Sequence, residues 1–118
     1  MCDLASKIQN FERRSALAAH TSSEAAEKAK ARRKAAESNG ELAGPPEHRR
    51  LVEKGYDDEI RGHEKAARVH KRRADHAANG FLVHSPDEST DADYMREHGG
   101  LFAEAHKAGL VRYSDESA

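Results

Sequence analysis

The residues with chemistry to offer are serines and histidines at helical spacing. Ser15 and Ser22 lie seven residues apart, and so do His63 and His70. Seven residues is two turns of an α-helix, so each pair occupies one face. If the two stretches pair antiparallel, Ser15 comes opposite His70 and Ser22 opposite His63. A hydroxyl facing an imidazole is the start of a nucleophile and its base. Neither pair has a third acid to orient the base or an oxyanion element, and two packed helices leave no cleft. The pairs therefore read as buried hydrogen bonds that fix helix register, and no catalytic residue is assigned. Eight histidines also invite a metal reading. Helical zinc sites use ligands at i and i+4. Glu59 and His63 have that spacing but make half a site, and His63 and His70 are too far apart to share one ion. No metal or other cofactor is expected.

Phosphate chemistry has more candidates. Lys28, Lys30, Arg32, Arg33 and Lys34 come opposite Arg49, Arg50 and Lys54 near one end of such a pairing, and Arg13 and Arg14 come opposite Lys71, Arg72 and Arg73 near the other. Clustered cations of this kind bind phosphates. Arg13, Arg14, Arg32, Arg33, Arg49, Arg50, Arg72 and Arg73 are the candidate contacts. Acids are interleaved, however, and no aromatic residue lies among the bases to stack on a nucleobase. Charge is also uneven along the chain. Residues 1–80 carry 17 Lys and Arg against 13 Asp and Glu, whereas 81–118 carry 3 against 8. The second part reads as an acidic segment that could mask the first. Gly55 and Gly62, two turns apart in a helical stretch, each cost about 1 kcal/mol relative to Ala. Close approach of a helix or ligand would offset that, which makes Gly55, Tyr56, Gly62 and His63, together with His70, Ser15 and Ser22, the favoured contact surface.

Two long helices must position these residues. Leu4, Ile8, Phe11, Ser15, Ala18, Ser22, Ala25, Ala29, Arg32 and Ala36 follow alternating steps of four and three, a heptad seam. Asp3 is placed to cap this helix. The run Thr21-Ser22-Ser23-Glu24 resembles a capping box, but the seam continues through it, and one helix over about 4–38 is predicted. Asn39-Gly40 ends it. Pro46 opens a second helix, about 46–79, whose stripe is Tyr56, Ile60, His63, Ala67, His70, Ala74 and Ala77, closed by Asn79-Gly80. Folding at Leu42-Ala43 sets Ile8 against Ala77, Phe11 against Ala74 and Arg32 against Glu53, so large residues face small and cations face anions.

Beyond Gly80, Phe81-Leu82-Val83 is predicted to close the open end over Leu4. Ser85-Pro86-Asp87-Glu88, or Thr90, starts a helix ending near His98 before Gly99-Gly100, and a short helix follows from Leu101 to Ala108. Leu101 to Tyr113 has a faint helix-then-wing look.

Alanine supplies 21 of the apolar residues and buries little surface, so a hairpin of these helices needs more packing than it can give itself. The expected fold is all-α: a long antiparallel helical hairpin (1–80) with one or two short C-terminal helices in 81–118 packed on or beside it, self-associating into a bundle with a homodimer as first expectation. The expected role is non-enzymatic, an assembly or binding protein with a protein partner contacted through the hairpin faces. The alternative is a nucleic-acid-binding accessory using the basic ends, and a third reading is an oligomer holding a small anionic ligand between Ser/His layers. The lone Cys2 and the lack of any long apolar run fit a cytoplasmic protein with no membrane contact.

Overall fold

The computed structural model describes residues 3–85 and 92–113. Helix α1 spans Leu4–Ser38 and α2 spans Pro46–Ala78, and they pack side by side as an antiparallel hairpin in a molecule measuring 59 × 23 × 21 Å. The Asp3 carboxylate accepts from the Ser6 N–H at 2.8 Å, which holds its pKa below the usual carboxylate value and caps the first turn. The helix runs unbroken through Thr21–Glu24. There Glu24 is used internally, 2.8 Å from His20 one turn earlier.

Both long helices end the same way. Asn39 and Asn79 are followed by glycines with φ of 81° and 87°. The N–H three residues past each helix donates back to the third-last helical carbonyl, Glu41 to Ala36 and Phe81 to His76. This is the Schellman closure, and only glycine enters its left-handed position without strain.

The α1 seam follows the predicted steps with one drift. Ile8, Phe11, Ser15, Ala29 and Ala36 are buried as expected, but Ala26 is buried rather than Ala25, and Arg33 turns inward rather than Arg32. A straight helix at 3.6 residues per turn slips against a strict seven-residue repeat, which accounts for a one-position change over this length. The stripe on α2 is buried or half-buried throughout, with Ile60, Ala74 and Ala77 deepest.

The C-terminal segment departs from expectation. Leu82–His84 form a strand, β1, and Val111–Tyr113 form β2, paired in parallel with Leu82 opposite Val111. Between them one helix, α3, runs over Ala92–Lys107 and passes straight through Gly99-Gly100. The expected break is absent because Tyr94, His98 and Phe102, spaced four apart, form a continuous ring contact at 4.8 and 6.0 Å from Tyr94, and His98 and Phe102 both set edges against Phe11. That packing outweighs about 1 kcal/mol of helix propensity per glycine. Gly109, with φ of 75°, ends α3 by the same closure, Leu110 donating to Ala105 at 2.9 Å. The start sites proposed at Ser85–Glu88 and Thr90 fall largely in 86–91, outside the described residues, as does Cys2.

The segment is not a separate tail. Leu82, Phe102 and Ala105 share one buried cluster with Ile8, Phe11 and Ala77, and Leu4, Leu101, Leu110 and Val111 pack around it. Among the described residues, no helix is long and apolar enough to cross a membrane.

Candidate functional site

A groove of about 850 Å³ opens where the C-terminal half of α2 meets the β1–α3–β2 unit. The α2 wall presents Lys65, His70, Arg72 and Arg73, and the facing wall presents Tyr94, Arg112 and Tyr113. Helical spacing puts Gly62, Lys65, Val69, Arg72 and His76 on the groove side of α2. The opposite wall exists because the parallel pairing of β1 and β2 brings Arg112 and Tyr113 beside Val83 and His84.

Cations and rings are interleaved here. The Arg73 guanidinium lies 4.4 Å from the centre of the Tyr94 ring, and that of Arg112 lies 3.8 Å from the centre of Phe81. Both are within cation–π range. Tyr113 is 69% exposed, with its ring near His84 and His106. The aromatics missing from the basic runs in sequence are thus supplied by another part of the chain.

Among the described residues, two acids also line the groove, and each pairs with a cation. Asp93 pairs with Arg96 at 3.0 Å, and Glu97 lies 3.8 Å from Arg14. Among the described residues, Lys65, Arg72 and Arg112 stand at the groove with these two carboxylates. Among the described residues, Lys65, Arg68, Lys71 and Arg72 form no ion pair. The stretch from Lys65 to Ala74 contains no acid.

Most of the other basic cluster is paired, with Lys28, Lys34 and Arg50 forming no ion pair among the described residues. Arg32 pairs with Glu59, Arg33 with Asp57, Lys30 with Glu27 and Glu64, Arg49 with Glu53 and Lys54 with Asp58. Of the candidate phosphate contacts, Arg32, Arg33 and Arg49 are therefore already paired within the hairpin, whereas Arg13, Arg50 and Arg72 form no ion pair among the described residues. The partner foreseen for Arg32 was Glu53; the observed one lies six residues further along α2. Side chains lean toward their own helix's N-terminus, so in antiparallel helices a long cation and a long anion meet only when their backbones have passed each other.

The Ser/His layers do not form as drawn. Ser15 is buried and Ser22 half-buried, but among the described residues neither hydroxyl bonds to an imidazole. His70 Nδ1 instead lies 3.4 Å from the Arg73 guanidinium one turn on, and burial, then the Arg73 charge, holds its pKa below the usual histidine value. His63 sits 3.6 Å from Glu59, the acid that Arg32 holds. An acid engaged by a guanidinium is a poor metal ligand, and among the described residues no three His, Cys, Asp or Glu side chains gather as an ion would need. Serine is short and its seam position is shared with alanine, so the α1–α2 distance suits packing rather than a hydroxyl–imidazole bond.

Gly55 and Gly62 are exposed, and a Cβ at either would meet nothing within 4 Å. Among the described residues, no other helix comes within 4 Å of either Cβ position. Gly62 lies at the groove, whereas Gly55 and the half-buried Tyr56 lie outside it. Sequence reasoning missed Lys65, Tyr94, Arg112 and Tyr113. The acid-free stretch 65–74 was a signal available for Lys65, but nothing local in the sequence joins Arg112 to α2. Comparison with protein-family models, curated proteins and solved structures finds no match to this chain.

Proposed function

We propose that this chain is a non-enzymatic helical binding protein that holds a polyanionic partner, nucleic acid first, on the open end of its hairpin. The observation that carries the reading is the exposed, acid-free run of α2, in which Lys65, Arg68, Lys71 and Arg72 form no ion pair among the described residues while the cations of the loop end are mostly neutralised. Unpaired cations on one helix release counterions from a phosphate chain on contact. The test is fluorescence anisotropy of labelled nucleic acid at increasing salt. Replacing Lys65, Arg68 and Arg72 together by Ala lowers the salt slope by about one per cation removed. Replacing the loop-end cations Lys28, Lys34 and Arg50 by Ala leaves it unchanged. No binding at low salt removes the reading.

The assembly reading is favoured by a different observation, the exposed apolar and glycine positions outside the groove: Leu17 and Leu51, 66% and 72% exposed, and Gly55 with open space above it. A second copy packed on the hairpin face would cover such positions.

A further inference from the structure

We propose that the groove between α2 and the β1–α3–β2 unit takes a single-stranded segment of nucleic acid, with phosphates on Arg72 and Arg112 and a base against Tyr113. The proposal rests on the polyanion reading above and adds to it the form of the strand and the residues that select it.

Charge alone does not separate single strands from duplexes, because both carry phosphates. Rings do, since only unpaired bases offer their faces. In this groove the rings and cations alternate: Arg73 over Tyr94, Arg112 over Phe81, and Tyr113 beside Arg112 in β2. Tyr94 and Phe81 each already carry a guanidinium. Tyr113 is 69% exposed at the groove wall, so it is the ring placed to receive a base.

Size points the same way. The groove's volume of about 850 Å³ lies within the range of about 300–1,000 Å³ that encloses small organic ligands, which suits splayed nucleotides and is far too small to take in a double helix. The charge complement fits a backbone that passes along the groove rather than a single fixed anion. Lys65 and Arg72 are two turns apart on α2, and Arg112 stands on the facing wall. Among the described residues, the two acids that line the groove, Asp93 and Glu97, pair with Arg96 and Arg14. At Gly62 the groove wall has no side chain at all, which leaves backbone room for the strand to pass.

The test compares an oligothymidine single strand, a duplex of equal length, and inorganic polyphosphate, which has the charge without the bases. The wild type is expected to bind the single strand at least ten-fold more tightly than the duplex. Tyr113→Ala is expected to weaken single-strand binding roughly ten-fold and to leave polyphosphate binding unchanged, while Tyr113→Phe keeps wild-type affinity. Tyr113 is exposed, so circular dichroism of both variants should match the wild type. Equal affinity for duplex and single strand, or an unaltered single-strand affinity in Tyr113→Ala, overturns this proposal and leaves the polyanion reading standing. Failure of all three probes to bind at low salt removes both.

Discussion

At the loop end of the hairpin, Arg32 and Arg33 reach across to Glu59 and Asp57, and Lys30 to Glu64, over a seam that α1 fills with Ala26, Ala29 and Ala36. At the open end, Ile8 and Phe11 are buried against Ala77, Leu82, Phe102 and Ala105. The first end spends most of its charge on itself and, apart from Leu42 and Ile60, buries mainly alanines. The second buries the large side chains and leaves its α2 cations outward. Exposed ion pairs contribute at most about 1 kcal/mol each, whereas a buried phenylalanine contributes several times as much. The acid-free run of α2 and the largest buried cluster therefore lie at the same end, where a rigid base can present cations to a ligand. The loop end is an arm held by weak, salt-sensitive contacts, and its amide hydrogens should exchange before those of the open end.

The largest effect expected from this contrast comes from the core. Phe102→Ala should destabilise by about 3–5 kcal/mol in denaturant melts, while Arg33→Ala at the loop end should change stability by no more than about 1 kcal/mol. Similar losses from both would erase the distinction between the two ends.

A smaller effect is expected at Gly55. Its Cβ position is open, so Gly55→Ala should raise stability by about 1 kcal/mol in a chain that sediments as before. If a second copy packs its backbone against this face, the added methyl group instead shifts sedimentation toward monomer at micromolar concentration, and the loop arm is then an interface rather than a free lever.

The smallest effect concerns His70 at the groove. Its folded pKa is depressed, by burial first and the Arg73 charge second. The folded chain then binds fewer protons than the unfolded one, so this group's contribution is fully present above the unfolded value of about 6.5 and is lost as pH falls through the folded value. Melts between about pH 5 and 8 should show an acid limb that His70→Leu flattens. An unchanged limb would mean that His70 does not sense its neighbours at the open end.

Much of the hairpin was legible because its signals are redundant. The heptad seam, the Asp3 cap, the Pro46 start and the two Asn-Gly ends all point to the same two helices, and each does so locally. The groove was not legible for the opposite reason. β1 and β2 have three residues each, too short for any alternation to register, and their pairing joins Leu82 to Val111 across the whole of α3. Gly99-Gly100 misled because propensity is local and the Phe11–His98–Phe102 packing is not. The charge average over 81–118 concealed Arg112, whose place beside α2 depends on that same strand pairing. The Ser/His seam was right about which faces turn inward and wrong about what those side chains bond to. Periodicity reports a face, and hydrogen bonding depends on distances that periodicity does not carry.

The sharing of one buried cluster by Ile8, Phe11 and Phe102 has a consequence for how the protein is made. Helix α1 leaves the ribosome before α3, with Ile8 and Phe11 exposed, and Phe102, which completes their cluster, is added 94 residues after Ile8. At a synthesis rate of about 5–20 residues per second, the nascent chain carries that uncovered patch for roughly 5 to 20 seconds. The alanine-rich remainder of α1 offers other chains little to stick to during the wait. The wall of the groove opposite α2 likewise comes into being only when β2 joins β1, so a growing chain completes the groove only once β2 is laid down.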